Sequence, residues 1–197
     1  MIRLGIFYSL DDSLKNDIEA FKLYFSSKCK TSRYLTHIPH STIYVFDVES
    51  NKIDKVTLEF ENLQKSLCQF YSTIYKWKVF EKDIITGLNT LCLEIELSNE
   101  LKALQMNVVE SIYKDHLKSK KSNFEGGFKL LNDKYGYPFI GNHWIPHITI
   151  GSMDINPEKL LEYSKKLLDL PKEITINNLG LFKIEGDSHQ LIKKIEF

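Results

Sequence analysis

The chain has 197 residues, 43% of them apolar and 26% charged, an ordinary globular composition with enough length to bury one sizeable core. Lys plus Arg and Asp plus Glu both total 26, so no overall field holds the molecule on a nucleic acid or an anionic membrane, and any polyanion must be met locally. Cys29, Cys68 and Cys92 are far apart and lack CxxC spacing, which argues against a disulfide framework and a Cys-rich zinc site and suits a reducing compartment. With no leader-like start and no run of 18 apolar residues, a cytoplasmic monomer with no membrane contact and no obligate protein partner is expected.

IRLGIFYSL, residues 2–10, is a β-branched and aromatic run of strand length, stopped by two aspartates. Leu14, Ile18, Phe21 and Phe25 then recur at helical spacing, which predicts an amphipathic helix capped by Asp11 or Asp12. A strand follows around residues 38–48, then a helix marked by Ile53, Val56, Phe60, Leu63 and Leu67, then a strand over STIYKWKVF, residues 72–80. The order restarts at NTLCLEIEL, residues 89–97, ending at Ser98, which can cap a helix bearing Leu101, Leu104, Val108 and Ile112. Next come a strand around 144–153 and a helix with Asn156 as N-cap and Pro157 in its first turn. Two closing strands, near 174–183 and 190–197, flank the turn EGDS.

Two of these strands spell the same pattern, I-P-H-x-T-I, at residues 38–43 and 145–150. Each half of the chain reads strand, helix, motif strand, helix, strand, the order a duplicated or pseudo-twofold fold would give. A single bilobal α+β domain over residues 1–197 is expected, with lobes drawn from the halves 1–84 and 85–197. His40 lies 26 residues after Leu14, but His147 lies 46 after Leu101, so the second half carries an insertion, about residues 117–143. That segment is rich in lysine and aromatics, the character of a lid or binding loop.

Side chains alternate faces along a strand, so His40 and Thr42 share one face, as do His147 and Thr149. If the halves face each other, two imidazoles and two hydroxyls converge, a set suited to a phosphodiester. One neutral imidazole can take a proton from the attacking oxygen, the other can give one to the leaving oxygen, and the hydroxyls can bond the non-bridging oxygens. Histidine suits both jobs because its ordinary pKa, near 6.5, leaves both forms accessible. The scheme needs no metal or cofactor. A zinc site built from His37, His40, His143 and His147 is the chemical rival, but residues three apart on a strand point to opposite faces and Pro146 disfavours a helix at the second pair. His116 and His189 belong to no motif.

On His40-Ser41-Thr42-Ile43 and His147-Ile148-Thr149-Ile150, and on the element order along nearly the whole chain, the sequence resembles the 2H phosphoesterase superfamily of 2′,5′ RNA ligase-like and cyclic phosphodiesterase proteins. The resemblance implies two antiparallel sheets flanking a central cleft with helices outside. It implies His40 and His147 as catalytic acid and base, in an order it leaves open, and Thr42 and Thr149 as phosphate ligands. It also implies metal-independent action on 2′,3′-cyclic phosphates, 2′,5′-linked oligonucleotides, ADP-ribose cyclic phosphate or RNA 3′ ends. Tyr44, on the face expected for Thr42, and Lys121, Phe124, Tyr135 and Tyr137 of the insertion are candidates for further substrate contact. Two other functions fit the same residues: a cleft that binds a nucleotide or RNA end without turnover, and a phosphoesterase of a small non-nucleic metabolite.

Overall fold

A computed structural model describes residues 1–113 and 124–197. Its strands are β1 (Ile2–Ser9), β2 (Ser32–Arg33), β3 (His40–Val48), β4 (Phe70–Phe80), β5 (Asn89–Ile95), β6 (His147–Met153), β7 (Lys172–Ile176), β8 (Asn178–Glu185) and β9 (Ser188–Glu196). Its α-helices are α1 (Asp12–Ser26), α2 (Ile53–Leu63), α3 (Asn99–Ile112), α4 (Gly126–Tyr135) and α5 (Pro157–Ser164). Three helices start where their caps predict. The Asp11 carboxylate accepts from Leu14 N, Ser98 Oγ from Leu101 N and Asn156 Oδ1 from Glu158 N, each satisfying an amide left orphaned in the first turn.

The strands run in the order β7-β4-β5-β6-β3-β1-β8-β9, with β2 on the end of β6, and every pairing is antiparallel. β3 and β6 touch through one residue pair, Ser41 opposite Ile148, so the curled sheet consists of two four-stranded parts joined at that point. The parts do not follow the sequence halves. β4, from the first half, lies between β5 and β7, while β8, from the second, lies against β1 and carries β9 on its other side. One lobe is therefore continuous over β4 to β7, and the chain ends complete the other. The single strand expected near 174–183 breaks at Asn177 into β7 and β8, one in each lobe. Asn178 secures the crossing, donating to Ser9 O at 3.0 Å and accepting from Ser9 N at 3.3 Å.

The outward faces carry the core. Leu4, Ile6 and Tyr8 of β1, Leu91, Leu93 and Ile95 of β5, and the apolar stripes of α1, α2 and α3 are buried in one cluster. The insertion contributes α4, a helix where only a loop was expected, ended by Gly136 at φ 72°, the left-handed conformation that glycine reaches without cost. Among the described residues no helix is long and apolar enough to cross a membrane.

Candidate active site

The local structure explains the repeated I-P-H. Proline disfavours the helical conformation in the residue before it, so Ile38 and Ile145 are held extended and their carbonyls stay outside any helical ladder. Each carbonyl meets the imidazole two residues on: His40 Nδ1 lies 2.7 Å from Ile38 O, and His147 Nδ1 lies 2.7 Å from Ile145 O. A carbonyl only accepts, so each Nδ1 carries the hydrogen and each Nε2 is left for a ligand.

Register then brings the two motifs together. The antiparallel pair Ser41–Ile148 is central, so one step either way sets His40 across from Thr149 and Thr42 across from His147. Ser41, Ile43, Ile148 and Ile150 are buried, whereas His40, Thr42, His147 and Thr149 are only partly so, as expected if these four share the concave face between the lobes. A β-bulge follows each motif at the same place: Phe7 pairs with Thr42 but Ile6 with Tyr44, and Cys92 pairs with Thr149 but Leu91 with Gly151. The twofold relation extends to this irregularity.

Around His40 the wall is aromatic. The Phe7 ring stacks on the imidazole at 4.0 Å between centroids, with Phe182 behind it at 5.1 Å. Both rings lie flat along the strands, because a Cβ on Gly5 would fall 2.4 Å from the Phe7 ring and one on Gly180 2.4 Å from the Phe182 ring. His189 meets His40 edge-on at 5.2 Å and His37 at 4.6 Å, and His37 Nε2 lies 3.3 Å from Asp187 Oδ1. Burial pushes the His40 pKa down to about 3, with His189, Lys22 and His37 all opposing a charge there. Burial likewise takes His189 down to about 4.

Around His147 the wall is charged. Phe80 packs edge-on against the ring at 5.3 Å, and Glu94 of β5 stands directly across from His147. Glu94 is 8% exposed and accepts from Tyr75 Oη at 2.5 Å, while Lys78 Nζ lies 2.8 Å and Lys76 Nζ 3.5 Å from Oε2. Burial alone would raise the carboxyl pKa, but the Lys78 and Tyr75 hydrogen bonds and the lysine charges hold it below the ordinary range. Burial also lowers the His147 pKa, against the Ile145 carbonyl and the Asp83 and Glu94 carboxylates, which favour the charged ring, while Lys78 opposes it.

Not every expected residue reaches this face. Tyr44 is fully buried on the opposite side, because the bulge at Ile43 reverses the alternation. Its hydroxyl donates to Tyr135 O at 2.6 Å, and its ring stacks on Phe46. The Tyr135 ring packs on Tyr113, Tyr137 on Tyr44 and Phe139, and Phe124 on Phe139, so the aromatics of α4 and its flanks pack on one another and on the buried Tyr44. Lys121 lies outside the described residues. Phe7, Phe182, His189, Lys78, Phe80 and Glu94 had no motif to announce them. The only sequence signal is the alternation of charge in YKWKVF and LCLEIEL, which places Lys76, Lys78 and Glu94 on one face of otherwise apolar strands.

A family model for the 2′-5′ RNA ligase superfamily matches residues 10–188. TT0787 of Thermus thermophilus superposes with a TM-score of 0.62 at 12% identity, covering 99% of this chain and 97% of its own. A structure described only as a phosphoesterase gives 0.57 at 11% identity, covering 100% and 98%. Escherichia coli LigT complexed with 3′-AMP gives 0.57 at 12% identity, covering 100% and 98%. These likenesses bear out the expected fold: antiparallel strands curled about a cleft, with helices outside. No curated protein matches the sequence.

Proposed function

The chain belongs to the 2′-5′ RNA ligase superfamily, and on that premise we propose that it is a metal-independent phosphodiesterase that opens a 2′,3′-cyclic phosphate, or cleaves a 2′,5′ linkage, of a nucleotide or RNA end. The observation that carries the reading is the antiparallel Ser41–Ile148 pair, whose register sets an imidazole against a threonine hydroxyl twice over. The LigT complex with 3′-AMP supports a nucleotide as the ligand class.

The two walls give the histidines different roles. His40, stacked on Phe7 and faced by His189, is the neutral base. His147, opposite Glu94, is the acid. In hydrolysis of the cyclic ester, water oxygen bonds to phosphorus as its proton passes to His40 Nε2. The bond from phosphorus to the ribose oxygen breaks, and that oxygen takes the proton from His147 Nε2. Thr42 and Thr149 donate to the non-bridging oxygens, and proton exchange with solvent restores both rings. The Cys29, Cys68 and Cys92 thiols, all unpaired, suit a cytoplasmic setting.

The test is hydrolysis of a nucleoside 2′,3′-cyclic phosphate in EDTA. His40→Ala and His147→Ala should each lower kcat by about 10²- to 10⁴-fold. Full activity in either variant sinks the two-histidine mechanism, and tight nucleotide binding without turnover would make the cleft a binding site only.

A further inference from the structure

The twofold relation between the motifs breaks down beside the histidines, and the break has a chemical sense. Glu94 stands directly opposite His147 on the neighbouring strand, a position at which Cβ atoms lie about 5 Å apart. The corresponding partner of His40 is Ser9, which carries no charge. A carboxylate 8% exposed is costly unless it is bonded, yet β4 supplies it with Tyr75, Lys78 and Lys76. Tyr75 reaches it because β4 bulges between Ile74 and Lys76. A second carboxylate, Asp83 in the β4–β5 loop, is fixed by Thr90 Oγ1, which donates at 2.8 Å, and by Ile85 N at 2.7 Å. Thr90 in turn shares a 2.6 Å hydrogen bond with Ser152 of β6, tying the loop to the strand that carries His147.

We propose that Glu94 and Asp83 are positioning residues that keep the cleft's exchangeable proton on His147 instead of His40, with Lys78 as the opposing charge that keeps this proton transferable. The proposal deepens the acid and base assignment above and rests on it for its catalytic meaning. Its electrostatic content stands on the arrangement alone. Glu94 from β5 stands directly across from His147 and Thr42 from β3 faces it across the junction, Lys78, Lys76 and Tyr75 from β4 reach this side through Glu94, and Asp83 is held in the connecting loop by Thr90. Both carboxylates favour the imidazolium and Lys78 disfavours it, in keeping with the direction of each influence on His147. Around His40 the charges that act most strongly on it are cationic or potentially so, His189, Lys22 and His37, and the carboxylate of Asp187 is held on His37. A proton shared within the cleft therefore resides on His147. Lys78 also lies 5.2 Å from the centre of the Phe80 ring, which packs on His147, so its charge is held close to the ring it opposes.

The decisive measurement is the NMR titration of the His147 Cε1–H signal in the full-length protein, with His40 read in the same spectra. Glu94→Gln and Asp83→Asn keep the shape and one of the two acceptor oxygens while removing the charge. Each should lower the His147 midpoint, weakening proton affinity by about tenfold. Lys78→Met should raise it, and Glu94→Asp, which keeps the charge, should leave it nearly in place. His40 should move much less in all four. A merely structural role for these residues would not give opposite signs at adjacent positions, nor rescue by aspartate. Should Glu94→Gln fail to fold, Asp83→Asn and Lys78→Met still give opposite signs to check. Unmoved midpoints, or equal movement of His40 and His147, would overturn the proposal even if the cyclic phosphate is hydrolysed. With an active enzyme, the basic limb of kcat/KM should follow the His147 midpoint. Absence of turnover on every phosphodiester, with the midpoints moving as stated, would remove the hydrolase reading alone.

Discussion

The two walls of the cleft share a strand plan and differ in almost every side chain. Where β1 and β8 offer Phe7, Gly180 and Phe182 to the His40 side, β5 and β4 offer Cys92, Lys78 and Phe80 at the matching positions, given the register of each strand with its neighbours. Backbone hydrogen bonding fixes the pseudo-twofold relation and the paired bulges, and it is indifferent to what the alternating residues carry. One imidazole can thus be packed against rings while the other faces a carboxylate, so similar scaffolds can give two histidines different proton affinities.

The largest effect should come from breaking the aromatic side. Phe7 is 1% exposed and touches His40, Phe182 and His189. Phe7→Ala should cost about 3–5 kcal/mol of stability, from lost burial and the cavity left between Gly5 and His40, read by denaturant unfolding. Phe80→Ala, which removes the ring packed on His147 from a position matching Phe182 and only partly buried, should cost clearly less. Equal losses would mean that the two walls pack alike, and the contrast drawn between them would fail.

A smaller effect tests what the lobes have in common. If Thr42 and Thr149 each donate to the same phosphoryl group, Thr42→Val and Thr149→Val should each lower kcat/KM by about 10- to 100-fold, since a hydrogen bond to a charged group contributes about 1.5–3 kcal/mol. Both replacements keep the strand former and its shape, so stability should hardly change. A loss confined to one threonine would show that only one lobe binds the phosphoryl group.

Residues that repeat were legible in the sequence, and residues that differ between the lobes were not. His40, Thr42, His147 and Thr149 stood out because the same short pattern occurs twice and strand alternation fixes which members share a face. The caps Asp11, Ser98 and Asn156 were legible because capping is a local matter. Phe7 was hidden because β1 is apolar on both faces, so periodicity selects neither. Tyr44 was misplaced because a bulge changes phase without any mark in the sequence. His189 and Glu94 became neighbours of the two motif imidazoles only through the pairing of distant strands, and the break at Asn177 depended on which lobe each half-strand could join.

The smallest expected effect concerns acid, and its sign follows from the aromatic wall. Burial holds His40 at about 3 and His189 at about 4, against an ordinary value near 6.5, so the folded state binds these protons less readily than the unfolded chain does. Wherever the unfolded state holds more protons, stability rises with pH. The stabilisation from keeping these rings neutral is therefore present above pH 6.5 and is lost as pH falls from there toward 4. Each fully linked proton steepens the loss by about 1.4 kcal/mol per pH unit. His189→Gln removes one such group from the partner side of His40 and leaves the charged wall untouched. Its unfolding free energy should fall less steeply between pH 6.5 and 4 than that of the parent, and the His40 midpoint should rise because a potential cation has gone. An unchanged slope would mean that His189 stays hydrated in the folded protein. The wall beside His40 would then be no drier than the one beside His147, and the difference between the rings would rest on charge alone.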